Sequence, residues 1–291
     1  MISVVGIDGL DPTIRSIKFC HNIAIINKES LICGWNLIEK ELKKHKTNFF
    51  PVDSEHFSLF SLIEKDYHSN IELMYITASG GPFLNFPISK LSKVKLVDAL
   101  NHPNWSMGKK ISVDSSTMMN KLFEVIEAKK IFNISEKKIK ILIHPSSYIH
   151  ALVKFKNGIT KILLHEPDMK IPIHNTIYHL VKKPLKTKSI NFKILNNLNF
   201  QKIDIKKFPL IKILDILPKN NSLYETALIT INDYFVAKFL NNEINYKELL
   251  DLIYKYSNFK DFQKYKKIPV KKVIEIYNLR DYVSLKLDSL G

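Results

Sequence analysis

Two acidic residues follow an apolar run near the end of the first sixth of the chain. The segment NFFPVDSEHFSLF, residues 48–60, is interrupted by Asp53, Ser54, Glu55 and His56 and then becomes apolar again. In an extended chain alternate side chains share a face, so we expect Asp53 and Glu55 to point the same way. Adjacent carboxylates repel each other, and burial increases the repulsion. The pattern predicts a positive group between them; a polar loop after a strand is the alternative.

A third acidic residue, Glu124, could complete a metal site with these two. The segment DSSTMMNKLFEVIEA, residues 114–128, predicts a helix capped near Asp114 or Ser115. On this helix Asn120 and Glu124 are four residues apart and share a face. Ligand sets made only of oxygen suit Mg²⁺ or Mn²⁺. The alternative is that Glu124 is a solvated helix residue paired with a lysine.

Other polar groups follow predicted strands or lie in loops. The segment TASGGPF, residues 77–83, contains a Ser-Gly-Gly turn whose backbone could approach an anion closely, although a plain turn is the alternative. Lys28 lies at the carboxyl edge of a predicted sheet, where ligands of open α/β sheets gather. The segment HPNWSMGKK, residues 102–110, predicts a loop whose Trp and Met either anchor in the core or close over a ligand as a lid.

The composition is typical of a globular protein that works in a reducing compartment. The 291 residues are 45% hydrophobic and 25% charged. We predict no membrane span, because no run of eighteen or more apolar residues occurs. The N-terminal segment lacks the basic and apolar regions of a secretory signal. Two cysteines without metal-ligand spacing indicate a reducing compartment, so we expect a cytoplasmic location, or an organellar stroma in a eukaryote.

The strong positive charge does not predict a nucleic-acid partner. The formal net charge is +16, but among 44 basic residues only Arg15 and Arg280 are arginine. Surfaces that make bidentate contacts to phosphates or read base edges favour arginine. The lysines are spread along the chain, which indicates compositional drift rather than a binding patch. Anionic small substrates remain compatible with this charge.

The order of predicted elements indicates an α/β fold. Residues 1–50 read as strand, helix, strand, helix, strand, with a helix opening at Asp11-Pro12, which predicts a remnant of a doubly wound, Rossmann-like parallel sheet. Residues 51–178 predict an α+β catalytic, metal-binding domain. Residues 179–204 predict a linker rich in Lys and Asn. Residues 205–291 show helical periodicity and predict a C-terminal helical bundle.

Taken in order, the motifs of the chain closely resemble those of the 1-deoxy-D-xylulose 5-phosphate reductoisomerase family. They are NKES, PVDSEH, ASGGPF, HPNWSMGKKISVDSSTMMNK, IHPSSYIH and PDMKIPI. The resemblance covers nearly the whole chain. It implies an NADP-dependent oxidoreductase and isomerase of the non-mevalonate pathway of isoprenoid precursor biosynthesis. Such an enzyme rearranges 1-deoxy-D-xylulose 5-phosphate and reduces it to 2-C-methyl-D-erythritol 4-phosphate, using NADPH and Mg²⁺ or Mn²⁺, and is a homodimer.

The resemblance also implies a role for individual residues. The implied metal ligands are Asp53, Glu55 and Glu124. These three, with Lys28 and His102, are the implied catalytic residues. The implied substrate contacts are Lys28, Ser54, Glu55, Ser79, His102, Ser115, Asn120, Lys121 and Glu124. The implied NADPH contacts are Asn27, Glu29 and Gly108, and the implied lid residues are Trp105 and Met107.

One feature of the family has no counterpart in the sequence. The N-terminal glycine-rich turn that holds the cofactor pyrophosphate is missing, so we expect roughly 100 residues, the size of a small domain, to be absent before Met1. A second hypothesis is therefore a truncated remnant that binds metal and sugar phosphate without hydride transfer. A basic nucleic-acid-binding protein is a third, which steeply salt-dependent retention on DNA would reveal.

Overall fold

The computed structural model describes residues 1–63, 70–179, 181 and 183–290. The remaining positions of the predicted domains lie outside the described residues: 64–69, 180, 182 and 291. Within the described part, the α/β fold class and the helical C-terminal region predicted from the sequence are confirmed. The division into four domains stays a prediction.

The first sheet is small and parallel, as the sequence predicts. Strand β1 (Asn22–Ile25) pairs in parallel with β2 (Asn48–Pro51), and Ile2 adds a single parallel bridge to Ile25. Helix α1 (Leu10–Ile17) and helix α2 (Lys28–His45) connect these strands. The expected first strand is thus reduced to one bridge.

The start of α1 differs from the sequence prediction. Asp11 does not cap the helix; the N-cap is Gly9, because the 3-10 turn Ile7–Gly9 continues directly into α1. Pro12 therefore lies inside the first helical turn, where a proline has no intrahelical hydrogen bond to lose.

The second sheet has four strands in the order β4-β3-β5-β6. They are β3 (Ile71–Ala78), β4 (Ile139–Ile143), β5 (Ile149–Phe155) and β6 (Thr160–Leu164). The β3–β4 pair is parallel, and the other two pairs are antiparallel. Helices α3 (Ser54–Leu62) and α6 (Met119–Ile131) cover one face of this sheet with apolar residues. The sheet and these helices form the frame of the site described below.

The predicted single helix over residues 114–128 is wrong. Helix α5 (Lys109–Thr117) ends and α6 begins around Met118, whose φ of 66° is left-handed. The hydroxyl of Ser116 donates to the Val113 carbonyl at 2.7 Å, and the Thr117 hydroxyl accepts from the Met119 N–H at 3.3 Å. Such side-chain bonds compete with the helical ladder and favour a break. Asp114 and Ser115 consequently lie inside α5 rather than at its start.

The remaining helices lie mostly in the second half of the chain. They are α4 (Leu96–Leu100), α7 (Lys170–Ile177), α8 (Phe192–Leu195), α9 (Tyr224–Leu240), α10 (Tyr246–Ser257), α11 (Lys260–Gln263) and α12 (Val273–Leu290). Helix α9 is buried along most of its length and packs against α2, α5, α10 and α12. Among the described residues, no helix is both long enough and apolar enough to cross a bilayer.

Candidate active site

A cavity of about 690 Å³ lies at the N-terminal ends of α2, α3 and α5 and along α6. Its volume is in the range of small-molecule sites. Every residue to which the sequence assigns a site role lines this cavity. They are Asn27, Lys28, Glu29, Asp53, Ser54, Glu55, Ser79, His102, Trp105, Met107, Gly108, Ser115, Asn120, Lys121 and Glu124.

Helix capping, rather than an extended strand, brings the first two acids together. Asp53 is the N-cap of α3, and its Oδ1 accepts a hydrogen bond from the Glu55 N–H at 3.3 Å. The expectation that residues 53–55 are extended is therefore wrong, because the cap starts the helix at Ser54. One oxygen each from Asp53, Glu55 and Glu124 lie within 4.8 Å of one another. Glu124, which is distant in the sequence, thus converges with Asp53 and Glu55.

Two lysines supply the positive charge that the adjacent acids require. The ammonium of Lys28 contacts Asp53 and lies 3.5 Å from Oε1 of Glu124. The ammonium of Lys121 lies 2.6 Å from Oε1 of Glu55 and also contacts Glu124. The predicted positive group between Asp53 and Glu55 is thus a pair of lysines on either side of Glu124.

Burial and neighbouring charges shift the pKa values of Glu124 and Asp53 in opposite directions. Burial, followed by repulsion from Glu55, raises the pKa of Glu124 to about 7. Burial alone would raise the pKa of Asp53, but Lys28 and His56 hold it well below its usual range. The Glu124 side chain is also fixed by the Asn120 amide, which donates to Oε1 at 2.6 Å. The site therefore holds at least one carboxylate that stays ionised and one that binds protons readily.

His56 is a site residue that the sequence motif contains but to which no role was assigned. Its Nε2–H donates to the backbone carbonyl of Glu124 at 2.9 Å, and its Nδ1 lies 3.4 Å from Asp53 Oδ1. Burial would lower the pKa of His56, but Glu127 and Asp53 raise it to about 9. His56 therefore links α3 to α6 and holds the two acid-bearing segments together. Its position directly after Glu55 is the signal that could have identified it.

The hydrogen bonds of His102 fix its tautomer and orient Ser79. Nδ1 of His102 accepts from the backbone N–H groups of Asn104 at 3.2 Å and Trp105 at 2.9 Å. Its proton therefore lies on Nε2, which donates to the Ser79 hydroxyl at 3.0 Å. The Gly81 N–H also donates to that hydroxyl at 3.0 Å. With both acceptor positions used, Ser79 directs its own proton towards other acceptors, as a phosphate contact must.

The glycine turn lets Ser79 approach Ser115. Gly80 and Gly81 have φ angles of 86° and 62°, which few other residues adopt. A Cβ on Gly81 would lie 3.0 Å from the Ser115 carbonyl oxygen and 3.3 Å from the Ser116 Cα. Both contacts are to backbone atoms, which cannot move aside as a flexible side chain can. Gly81 therefore sets the distance between the Ser79 turn and α5.

We expect Gly81→Ala to raise KM for a phosphorylated substrate about tenfold, because it pushes the Ser79 turn away from Ser115. Gly158→Ala is the matched control, since Gly158 has a φ of 86° and nothing within 4 Å of the added Cβ. Both variants pay the backbone cost, about 1 kcal/mol of unfolding free energy. Steady-state kinetics and thermal melts on both test this; an equal KM in the two variants would contradict it.

The segment between α4 and α5 carries the predicted lid residues. The Asn104 amide donates to the Pro145 carbonyl at 2.6 Å and to the Ser147 hydroxyl at 2.8 Å. The Trp105 ring lies edge-on to His150, with centroids 6.1 Å apart. The segment is therefore tied to the turn before β5, and Trp105 lines the cavity from that side.

We expect Trp105→Ala to raise KM about tenfold with little change in melting temperature, because the half-buried ring covers the cavity rather than filling the core. Trp35→Ala is the comparison, since Trp35 is buried in the main core and packs on Phe49. That variant should melt several degrees lower. Steady-state kinetics and calorimetry separate the two; an unchanged KM and kcat for Trp105→Ala would make this residue purely structural.

The implied cofactor contacts lie at the N-terminal ends of α2 and α5. Asn27 caps α2 and donates through Nδ2 to the Gly6 carbonyl at 2.8 Å, which fixes residues 4–6 against the helix start. Gly108 is the N-cap of α5, with open space where a Cβ would be. Glu29 lies 3.2 Å from the ammonium of Lys110. All three residues line the cavity.

Several residues of the cavity were not identified from the sequence. Lys110 also contacts Asp114 and Asp233, at 3.2 and 3.0 Å, so one lysine joins α2, α5 and α9. Lys110 belongs to the same motif as the lid residues Trp105 and Met107, which was an available signal. Asp233 lies in a helix with no distinguishing pattern. Ser147, Met169 and Ile229 also line the cavity.

Three family models match the chain, and all describe one enzyme. Residues 1–34 match 1-deoxy-D-xylulose 5-phosphate reductoisomerase. Residues 49–132 match the 1-deoxy-D-xylulose 5-phosphate reductoisomerase C-terminal domain. Residues 164–281 match the DXP reductoisomerase C-terminal domain.

Individual relatives and solved structures agree with these matches. The 1-deoxy-D-xylulose 5-phosphate reductoisomerase of Pelagibacter ubique is 54% identical over all of the chain, which covers 75% of that protein. That of Lachnospira eligens is 39% identical over 86% of the chain, which covers 66% of it. DOX-P reductoisomerase in complex with NADPH, fosmidomycin and magnesium superposes with a TM-score of 0.91 at 29% identity, over 99% of this chain and 74% of the other. The Zymomonas mobilis enzyme in complex with NADPH gives 0.89 at 29% identity, over 100% and 74%.

Proposed function

The chain belongs to the 1-deoxy-D-xylulose 5-phosphate reductoisomerase family, and we propose that the cavity described above is where it carries out that reaction. The reaction rearranges 1-deoxy-D-xylulose 5-phosphate and reduces it with NADPH to 2-C-methyl-D-erythritol 4-phosphate, an isoprenoid precursor. The observation that carries the proposal is the convergence of three carboxylates, two lysines and an oriented serine on one cavity.

We propose that Asp53, Glu55 and Glu124 bind Mg²⁺ or Mn²⁺. Their donor set fits such an ion, since it consists of carboxylate oxygens that converge within 4.8 Å. When bound, the cation polarises the ketone and lowers the pKa of a neighbouring hydroxyl of the substrate. Magnesium is present in three solved structures of relatives, once together with both fosmidomycin and NADPH.

The protein's own groups position the sugar phosphate. We assign the phosphate to Ser79, Ser115, Asn120 and Lys121, which supply three neutral donors and one cation from three elements. Ser54 and Glu55 at the start of α3 face the sugar hydroxyls. These residues bind the phosphate away from the reacting carbons, and so orient those carbons without contacting them.

Lys28 and the lid act on the reacting part of the substrate. Lys28 lies among the acids with only 14% of its side chain exposed, and its carboxylate neighbours keep it protonated by raising its pKa against the effect of burial. It can therefore donate to a substrate oxygen that gains negative charge during carbon–carbon cleavage and re-formation. Trp105 and Met107 would exclude water above it.

We assign NADPH to the wall formed by Asn27, Glu29 and Gly108. This cofactor supplies the hydride that reduces the rearranged aldehyde. Gly108, which has open space at its Cβ position, permits close approach of a large ligand. Asn27 holds residues 4–6 at the cavity edge, and so shapes the same wall.

We further propose a homodimer in the cytoplasm, or in a stroma. Strand β6 pairs only with β5 among the described residues, and its Ile162 side chain is 47% exposed. An edge strand with exposed apolar residues is suited to pack against a second copy of the chain. Cys20 and Cys33 are free thiols, which suits a reducing compartment.

Turnover by the purified chain tests the proposal. With 1-deoxy-D-xylulose 5-phosphate and Mg²⁺ or Mn²⁺, we expect oxidation of NADPH and one 2-C-methyl-D-erythritol 4-phosphate per NADPH, measured by absorbance and mass spectrometry. Omission of the metal should stop both. Binding of substrate and Mn²⁺ without NADPH oxidation would favour the remnant hypothesis. If the chain shows neither binding nor NADPH oxidation, the assignment of the cavity is overturned.

A further inference from the structure

Glu127 is a buried carboxylate beside the proposed active site. It lies on α6 three residues after Glu124, on the same helix face, and its side chain is 0% exposed. Its Oε2 lies 3.5 Å from the ammonium of Lys28. Neither of its oxygens accepts a hydrogen bond from the residues that the structure describes. Such a group is costly to bury and calls for an explanation.

The surroundings of Lys28 supply the explanation. Its ammonium is shared by three carboxylates, those of Asp53, Glu124 and Glu127. The first two belong to the set of oxygens that converges within 4.8 Å and that we assign to the metal; Glu127 does not belong to that set. A divalent cation would therefore compete with Lys28 for two of its three partners.

We infer that Glu127 is a positioning residue that keeps the ammonium of Lys28 in place while Asp53 and Glu124 bind the cation. The inference rests on the proposed function. A bound dication repels a nearby ammonium and draws on the negative charge of the shared carboxylates. A buried ammonium that loses its partners moves or deprotonates. Glu127 lies outside the set of converging oxygens and so leaves Lys28 one carboxylate partner.

The chain contains a pair that serves as a structural control. The ammonium of Lys130 lies 3.4 Å from Oε1 of Glu225, and both side chains are about as buried as Glu127. Neither residue lines the cavity. Glu225→Gln therefore removes a buried carboxylate from a buried lysine at a closely similar distance, but away from the site. It reports what such a loss does to the fold alone.

The experiment compares Glu127→Gln, Glu127→Asp and Glu225→Gln with the parent chain. For Glu127→Gln we expect kcat to fall about 30-fold with KM changed less, while the Mn²⁺ dissociation constant, measured by electron paramagnetic resonance, stays within about threefold of the parent value. Glu127→Asp keeps the charge and should recover much of the lost kcat. Glu225→Gln should keep the parent kcat. A crystal structure of Glu127→Gln with Mn²⁺ should show Lys28 Nζ displaced.

Four outcomes would overturn the inference. They are a parent-like kcat in Glu127→Gln, the same loss of kcat in Glu225→Gln, no recovery in Glu127→Asp, and a loss of Mn²⁺ affinity in Glu127→Gln as large as that in Glu124→Gln. The last would make Glu127 a metal ligand. The proposed function would survive all four, since it is judged on Mn²⁺ binding and turnover by the parent chain. If the parent chain neither binds Mn²⁺ nor turns over the substrate, both the proposed function and the inference on Glu127 are overturned.

Discussion

Glutamine in place of Glu124 is expected to abolish metal-dependent turnover while the chain remains folded. The change removes one of three converging carboxylates and keeps the volume of the side chain. Because each ligand contributes charge as well as an oxygen atom, we expect Mn²⁺ affinity to fall by at least about 100-fold. The measurements are Mn²⁺ titration by electron paramagnetic resonance and NADPH oxidation.

Glu136→Gln is the surface control for this variant. Glu136 is a partly exposed carboxylate 3.3 Å from Lys129 and is not part of the cavity lining. It should keep parent-like turnover and Mn²⁺ affinity, since surface ion pairs contribute little. A melting temperature close to that of the parent would show that Glu124→Gln is folded. Parent-like turnover in Glu124→Gln would remove Glu124 from the metal site.

The sequence predicted which residues meet at the site better than it predicted their backbone conformation. The family motifs identified the candidate residues, and the structure brings all of them to one cavity. The expectation that Asp53 and Glu55 are extended failed, although the acids still meet. In α3 the same Asp-Ser-Glu spacing serves as an N-cap and first turn, so the local pattern was compatible with both conformations.

The break between α5 and α6 could not be read from periodicity. Residues 114–128 carry a continuous helical pattern, and the break depends on two hydroxyls, those of Ser116 and Thr117, bonding to local backbone groups. That break turns α6 so that Lys121, Glu124 and Glu127 face the acids of α3. Side-chain competition of this kind depends on tertiary contacts, which a single sequence does not display.

The unassigned charged residues were hidden for a different reason. Glu127, Lys110 and Asp233 act through partners on other elements, at separations of about eighty residues or more. Spacing along the chain identifies neighbours on one helix face, but not which lysine faces which acid across the cavity. Glu127 was the nearest to being identified, since it follows Glu124 by three residues.

Replacement of His102 by alanine is expected to lower kcat/KM by about 100-fold to 1,000-fold. One imidazole performs two tasks in the structure. Its Nε2–H orients the Ser79 hydroxyl, and its Nδ1 accepts the backbone N–H groups of Asn104 and Trp105. Alanine removes both, so the phosphate contact and the lid lose their common anchor. Much of the effect should be on KM, because the hydroxyl and the lid both bind substrate.

His144→Ala is the control for the loss of a buried histidine. His144 lies outside the cavity lining and bonds to the Asn199 carbonyl and the Ser146 hydroxyl. Steady-state kinetics and calorimetry on both variants separate the site from the fold. We expect His144→Ala to lower the melting temperature while KM stays near the parent value. An equal rise of KM in the two variants would contradict the special role of His102.

The acid limb of the pH profile offers a second check on His102. Burial, and then the charge of Lys121, lower its pKa from 6.5 to about 4. The imidazole is therefore neutral at neutral pH, and the contribution of its neutral form to stability is complete above pH 6.5 and is lost as the pH falls towards 4. Protonation of Nδ1 would remove the acceptor of two lid N–H groups, so KM should rise steeply in that range. In His102→Ala this additional rise should be missing, and its persistence would assign the acid limb to another group.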